Sequence, residues 1–87
     1  MKIIKLLGEM IKEKRLNKKL TLETLSRMTS ISKSTLSNLE NGKVRNPSSV
    51  FLYRLSEVLD IDMEIMNQHK YREYYKKLEW YKIKSNL

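Results

Sequence analysis

The chain has 87 residues, enough for one small domain with a single core. It has no cysteine, which excludes disulfides, thiolate metal sites and cysteine nucleophiles, and its one histidine, His69, excludes a histidine-rich metal site. Two glycines and one proline argue against a phosphate-cradling glycine loop. No apolar run approaches membrane-spanning length, and Gly8 and Glu9 end the apolar start before a signal-peptide core could form. We therefore expect a cytoplasmic protein without metal or cofactor.

The charge of the chain is strongly positive and unevenly distributed. The formal net charge is +8, and the isoelectric point is near 9.8. Residues 1–59 hold 12 Lys/Arg and 5 Asp/Glu (+7), whereas residues 60–87 hold 6 and 5 (+1). This balance favours a polyanionic partner, which could be DNA, RNA or an anionic membrane surface. A lysine-rich composition inherited from an AT-rich genome would raise the charge as well.

The spacing of apolar residues predicts five helices and no strands. The first covers about residues 3–18 and ends in basic residues, which suit the negative end of the helix dipole. Its inner stripe comprises Ile4, Leu7, Ile11 and, as a further candidate, Met10. The second covers residues 22–28, with Thr21 as its N-cap. Its buried edge comprises Leu22, Leu25 and either Met28 or Thr29.

The third predicted helix, residues 33–40, has the clearest separation of polar and apolar side chains. At about 100° per residue, Leu36 and Leu39 fall on one side of the helix. The opposite arc carries short polar side chains and one lysine, namely Lys33, Ser34, Ser37, Asn38 and Asn41. Such a helix fits the DNA major groove, whereas an ordinary surface helix usually carries longer, mixed charges on its outer face.

Polar residues mark the boundaries of the later elements. The residues expected to open the third, fourth and fifth helices are Ser32, Ser48 and Asp62. Asn41 and Gly42 end the third helix because both tolerate the left-handed conformation, and Ile31, after the turn at residues 29–30, is expected in the core. The fourth helix ends near residue 59, and the fifth can continue as far as residue 82. The inward positions of the fourth are Leu52, Leu55 and either Val58 or Leu59.

This string resembles the helix-turn-helix of the lambda-repressor-like family, the Cro/C1 or XRE-type regulators of bacteria and phages. The resemblance covers about residues 7–65. Its strongest segments are residues 20–21, 23–25, 34–37 and 39–43, followed by residues 46–48. It implies a compact, all-α, five-helix DNA-binding domain over residues 1–66. Residues 67–87 would then form a long, aromatic-rich C-terminal helical extension.

The resemblance also implies roles for individual side chains. Base edges are expected to be contacted by Lys33, Ser34, Ser37 and Asn38. Lysine can donate to guanine and asparagine can pair with adenine, whereas the two serines could contribute only their small size. Phosphates are expected to be contacted by Thr21, Arg27, Asn41, Lys43, Arg45, Asn46, Ser48 and Ser49. Lys43 and Arg45 could otherwise form a solvated basic loop.

In the family, an arginine late in the first helix pairs with a glutamate late in the third. Arg15 and Glu40 match these positions, so we expect a structural ion pair that holds the third helix on the scaffold. Three positions depart from the family. Leu22 replaces a phosphate-binding glutamine, and Ser30 and Lys19 stand where glycine is usual. These departures predict a lost phosphate contact and a less favourable turn.

Five of the seven aromatic residues lie within residues 71–81. The residues predicted to form a dimer interface are Tyr71, Tyr74, Tyr75, Leu78 and Tyr81, most of which repeat with heptad-like spacing. Such a dimer would set two reading helices about 34 Å apart, one turn of DNA. The helix could instead fold back on its own domain, dock another protein such as a toxin or sensor subunit, or lie on a membrane surface. Glu73 and Glu79 argue against the membrane.

These features predict a transcriptional regulator, a repressor that binds a palindromic operator in double-stranded DNA as a homodimer. It is not expected to be an enzyme, because the carboxylates form no paired, sheltered constellation. The main alternative is an antitoxin or anti-repressor whose C-terminal helix binds a protein partner. A weaker alternative is a nucleic-acid coating protein, which would not distinguish an operator from scrambled duplex.

Overall fold

The computed structural model describes residues 6–44 and 46–70. Four complete helices follow one another in this part of the chain: α1 (Leu7–Asn17), α2 (Leu22–Thr29), α3 (Lys33–Glu40) and α4 (Ser49–Leu59). Residues 63–70 are the described part of a fifth helix, α5. No strand occurs among these residues, which confirms the predicted all-α fold. None of the described helices is both long and apolar enough to cross a bilayer.

Several predicted features lie outside the described residues. They are the side chains of Ile4 and Arg45, the continuation of the fifth helix beyond residue 70, and the predicted dimer interface of Tyr71, Tyr74, Tyr75, Leu78 and Tyr81. The predicted division at residue 66 falls inside the helical residues 63–70. The two-part organisation therefore stays a prediction.

The predicted start of α1 at residue 3 was wrong. Leu6 is extended (φ −74°, ψ 157°), and the helix begins at Leu7. The backbone N–H of Leu6 donates to Glu9 Oε2 over 3.4 Å, so the glutamate supplies a partner to a group that precedes the first turn. The boundary is therefore set by this local contact and not by the apolar pattern, which extends further back.

The end of α1 is closed by a left-handed residue. Lys19 has φ 58°, its N–H donates to Leu16 O over 2.9 Å, and the N–H of Leu20 donates to Arg15 O over 3.1 Å. These two bonds form a Schellman motif, which satisfies the last carbonyls of the helix. The motif reverses the chain towards α2 at the position where the family usually has glycine.

One core unites all five helices. Its fully buried side chains include Ile11, Leu25, Ile31, Leu36, Leu52, Leu55, Leu59 and Met66. The choices left open by the sequence are decided as follows. Met10 is buried with Leu7 and Ile11, Thr29 is buried whereas Met28 is 54% exposed, and Leu59 is buried whereas Val58 packs only partly against the core.

The first and third helices cross unusually closely at Gly8. An added Cβ at Gly8 would lie 2.2 Å from Leu39 O and 2.8 Å from Glu40 O, both of them backbone atoms. Only glycine permits this approach. The start of α1 is therefore seated directly on the last turn of α3, the helix whose outer face carries the predicted base contacts.

Candidate nucleic-acid interface

The connection between α2 and α3 is held by side-chain hydrogen bonds. Ser26 Oγ donates to Ile31 O over 2.6 Å, and Thr29 Oγ1 donates to Leu25 O over 2.7 Å while accepting from the N–H of Ile31 over 3.3 Å. Ser30 adopts the left-handed conformation (φ 58°, ψ 29°) at the turn. The turn between the two helices is therefore held by three side-chain hydrogen bonds and not by a glycine.

The third helix has one buried and one exposed face. Leu36 and Leu39 are buried, whereas Lys33, Ser34 and Asn38 are exposed. The exposed face therefore presents a cation, a hydroxyl and a carboxamide on a short helix of eight residues. These are groups that donate to or accept from base edges, and none of the three is covered by the described part of the chain.

The two ends of this face are ordered by local hydrogen bonds. Ser32 Oγ accepts from the N–H of Thr35 over 3.1 Å and lies 2.7 Å from Thr35 Oγ1. At the other end, Asn41 Nδ2 donates to Ser37 Oγ over 3.4 Å, and Ser37 is half-buried. The hydroxyl of Ser37 is thus oriented by Asn41, one turn further along the helix.

The ion pair between Arg15 and Glu40 anchors α3 to α1. Arg15 Nε donates to Glu40 Oε2 over 2.7 Å and Nη2 donates to Oε1 over 3.0 Å, a bidentate arrangement. Arg15 Nη1 also donates to Leu20 O over 2.8 Å. Both side chains are buried, so one guanidinium joins α1, the loop that follows it and the end of α3.

The predicted phosphate contacts fall into two groups. Three of the side chains are exposed on the loop after α3 and at the start of α4: Lys43, Asn46 and Ser49. Others are already engaged within the protein: Thr21 Oγ1 accepts from the N–H of Thr24 (3.0 Å), Ser48 Oγ accepts from the N–H of Phe51 (3.5 Å), and Arg27 Nη2 donates to Glu23 Oε1 (2.7 Å).

Sequence reasoning missed three residues that support this surface. Gly8 seats α1 on α3, Arg54 Nη1 donates to Thr29 O at the end of α2 (3.4 Å), and Lys70 Nζ donates to Pro47 O in the loop before α4 (3.0 Å). The partners of Arg54 and Lys70 lie 25 and 23 residues away, so no local pattern indicates them.

Another residue outside the predicted set is Tyr53, on the exposed side of α4. The Tyr53 hydroxyl forms a hydrogen bond with the carboxylate of Glu57. This bond, together with the negative charge of the carboxylate, raises the pKa of Tyr53 above its usual value. Because its pKa is raised, the Tyr53 hydroxyl is neutral at physiological pH. The side chain faces solvent and is 55% exposed.

Comparison with known proteins agrees with this geometry. Residues 11–66 match the helix-turn-helix family. The chain belongs to the lambda-repressor-like helix-turn-helix family. The match begins at Ile11 within α1 and covers α2 to α4 and the first residues of α5, and therefore includes the whole of the α2–turn–α3 unit.

Two relatives are HTH-type transcriptional regulators named SinR. The protein from Bacillus subtilis strain 168 is 35% identical over 81 residues, which cover 90% of this chain and 73% of the relative. The protein from Bacillus licheniformis is 35% identical over 70 residues, which cover 79% of this chain and 63% of the relative. The chain is thus homologous to SinR transcriptional regulators.

Solved structures of SinR share the fold. A crystal structure of SinR in complex with DNA, described as the master regulator for biofilm formation, has a TM-score of 0.66 at 34% identity and covers 70% of this chain and 97% of its own. The N-terminal DNA-binding domain of SinR from Bacillus subtilis gives 0.65 at 35% identity, covering 69% and 87%. A complex of SinR with SinI gives 0.68 at 30% identity, covering 92% and 81%.

Proposed function

We propose that this chain is a sequence-specific DNA-binding transcriptional regulator whose α3 enters the major groove. The observation that carries the proposal is the polar outer face of α3, where Lys33, Ser34 and Asn38 are exposed while Leu36 and Leu39 hold the helix on the core. Short side chains let a helix approach base edges closely. The similarity to SinR, one structure of which is a complex with DNA, supports the same function.

Base recognition is assigned to four side chains of α3. Lys33 donates to guanine O6 or N7, and Asn38 pairs with adenine N6 and N7. Ser34 and the half-buried Ser37 supply hydroxyls that can accept or donate and therefore discriminate less. Most of the specificity then comes from Lys33 and Asn38.

Phosphate contacts are assigned to the residues around α3. Lys43, Asn46 and Ser49 are exposed and need no rearrangement, and Arg45 joins them by its position in the sequence. Asn41 and Ser48 keep a donor beyond their internal bonds, whereas the hydroxyl of Thr21 donates to Thr24 Oγ1 over 3.0 Å and must rotate to reach a phosphate. Arg27 forms an exposed i,i+4 pair with Glu23, and such pairs are worth only about 0–1 kcal/mol, so a phosphate can replace the carboxylate.

We further propose a repressor that acts in the cytoplasm as a homodimer on a palindromic operator. The predicted interface is the aromatic set of Tyr71, Tyr74, Tyr75, Leu78 and Tyr81. Two-fold symmetry in the protein would be matched by two half-sites about 34 Å apart, one turn of DNA. This function requires binding energy alone, and we assign the chain no enzymatic activity.

A second candidate function is a protein-interaction module of the antitoxin or anti-repressor type. The similarity to the SinR–SinI complex favours it, because that similarity covers 92% of this chain. In this case the C-terminal helix binds a protein partner and DNA contact is secondary.

Selection of bound sites from random duplex DNA, combined with sedimentation of the free protein, tests the proposal. A regulator selects one sequence family, and a homodimeric repressor selects a two-fold symmetric site and sediments as a dimer. A monomer that selects a single half-site contradicts the dimer. Recovery of no preferred sequence contradicts specific recognition and favours a coating protein.

The double variant Lys33→Met with Asn38→Ala separates the two candidate functions. If the regulator proposal holds, affinity for the selected duplex falls towards the affinity for scrambled duplex. Lys12→Met, which removes one exposed positive charge from α1, is the matched control and should lose little. Unchanged DNA affinity in the double variant would show that α3 does not read the groove.

A further inference from the structure

Lys70, in α5, contacts the loop between α3 and α4. Its Nζ donates to the backbone carbonyl of Pro47 over 3.0 Å, and both residues are at least half-buried. Pro47 is directly preceded by Asn46 and followed by Ser48, two of the assigned phosphate contacts. One hydrogen bond from α5 therefore reaches the loop at Pro47, between two residues that are assigned to phosphate.

The position of Lys70 is determined by the core. Met66, four residues earlier on α5, is 0% exposed, and residues four apart lie on the same face of a helix. Lys70 thus continues the core-facing stripe at a place where an apolar side chain would be expected. Asp62 fixes the start of the helix, because its carboxylate accepts from the N–H of Glu64 over 2.7 Å. The ammonium group is therefore presented to the loop by a well-anchored element.

The loop is also held near its start, where the N–H of Lys43 donates to Asn38 O over 2.9 Å, and near its end, where Pro47 is buried. Val44 packs partly against the core, and Pro47 has no backbone N–H with which to bind its neighbours. The carbonyl of Pro47 immediately precedes Ser48, whose hydroxyl caps α4. Loss of the bond at Pro47 O would free the loop at the point where the chain enters α4.

We propose that Lys70 is a positioning residue for DNA binding, which holds residues 46–48 at the end of the loop in the conformation that presents Asn46 and Ser48 to phosphate. The inference rests on the proposed function and extends it, because it couples α5 to the DNA surface through one hydrogen bond. Lys70 itself does not contact DNA in this proposal, since its ammonium group is directed to Pro47 O.

The test uses the full 87-residue chain with Lys70→Met, which keeps most of the side-chain length and removes the donor. Amide hydrogen exchange of the free protein should become faster at Phe51 and Leu52, whose N–H groups donate to Ser48 Oγ and Ser48 O where the loop enters α4. Affinity for the selected duplex should fall about 5- to 10-fold, the effect of losing one ordering hydrogen bond. The slope of log Kobs against log salt should stay unchanged, because no phosphate contact is removed.

Two further variants complete the design. Lys70→Arg keeps both the charge and the donors and should restore slow exchange and most of the affinity. Lys12→Met removes an equal charge from α1 and should change neither the exchange at Phe51 and Leu52 nor, beyond a small electrostatic loss, the affinity. Thermal melts of all variants establish that each one is folded, and Lys70→Gln replaces Lys70→Met if the latter is not.

Three results would overturn the proposal. Unchanged exchange at Phe51 and Leu52 in Lys70→Met would show that the bond does not hold the loop. A salt slope lowered by about 0.9 with unchanged exchange would make Lys70 a direct phosphate contact. Faster exchange in a protein whose wild type prefers no duplex would confirm the loop contact but refute the proposed function, so the two failures are distinguishable.

Discussion

At the scale of single residues, the position of α3 depends on contacts at its buried side, opposite the proposed DNA-binding face. Arg15 and Glu40 form a buried, bidentate pair with distances of 2.7 and 3.0 Å between nitrogen and oxygen, and Gly8 allows the start of α1 to contact the carbonyl groups of Leu39 and Glu40. Neither feature is available to DNA. Both determine how firmly the last turn of α3 is held.

Replacing Gly8 by alanine should destabilise the domain by about 3 kcal/mol, because overpacking of this kind cannot be relieved by rotating a side chain. The atoms that the new methyl group would meet are backbone oxygens. Gly42→Ala is the matched control: its Cβ meets nothing within 4 Å, and only its positive φ of 70° opposes the substitution. Urea unfolding of both variants checks this order, and an equal loss would contradict the close crossing of α1 and α3.

Removing one member of the ion pair should cost about 3–5 kcal/mol, since Arg15→Met leaves the Glu40 carboxylate buried without its partner. Replacing both residues, by Arg15→Met and Glu40→Leu, should recover most of this loss because no buried charge remains. Thermal and urea unfolding measure the three free energies. A double variant as unstable as the single one would mean that packing, not charge, is what Arg15 contributes.

At the scale of elements, the turn between α2 and α3 has an unusual composition. Ser30 occupies the left-handed conformation that the family usually gives to glycine, and its N–H donates to Ser26 O over 2.9 Å. The turn keeps its shape because Ser26, Thr29 and Ile31 are joined by side-chain hydrogen bonds. Serine therefore adopts a strained conformation that its neighbours compensate.

Ser30→Gly should stabilise the domain by up to about 1 kcal/mol, because glycine avoids the roughly 1–2 kcal/mol that a left-handed conformation costs other residues but loses part of this gain through its greater entropy in the unfolded chain. Ser30→Val should do the opposite, since a β-branched side chain is poorly tolerated at positive φ. The melting temperatures of the two variants should move in opposite directions. A lower melting temperature for Ser30→Gly would show that the serine side chain itself stabilises the turn.

At the scale of the whole molecule, the net charge of +8 and the polar face of α3 favour two different kinds of DNA contact. A positive protein is attracted to DNA of any sequence, and this attraction is sensitive to salt. In the proposed function, Lys43, which is exposed in the loop after α3, adds to this general attraction, whereas the uncharged Asn38 adds to discrimination. The two kinds of contact are therefore separable by experiment.

Lys43→Ala should lower the slope of log Kobs against log salt by about 0.9 and weaken binding to selected and scrambled duplexes alike. Asn38→Ala should leave this slope unchanged and reduce the ratio of selected to scrambled affinity by about 5- to 150-fold, which corresponds to 1–3 kcal/mol. Fluorescence anisotropy titrations at four or more salt concentrations measure both quantities. Equal effects of the two variants on the slope would contradict the division of roles.

The sequence by itself determined the helices and the two faces of α3. Caps such as Thr21, Ser32 and Ser48 bind N–H groups only three residues away, and the leucines of α3 follow the 3.6-residue period, so both signals are local. The matching of Arg15 with Glu40 came from family resemblance, since residues 25 positions apart show no local relation.

Only the tertiary structure decided which contacts form between elements. The approach of Gly8 to Leu39 O and the bond from Lys70 to Pro47 O both depend on how the helices cross. Their partners are backbone atoms, which every residue carries, so no residue type in the sequence indicates them. The packing of α2 also decided between two candidates for the core. Thr29 is buried, whereas Met28 is exposed.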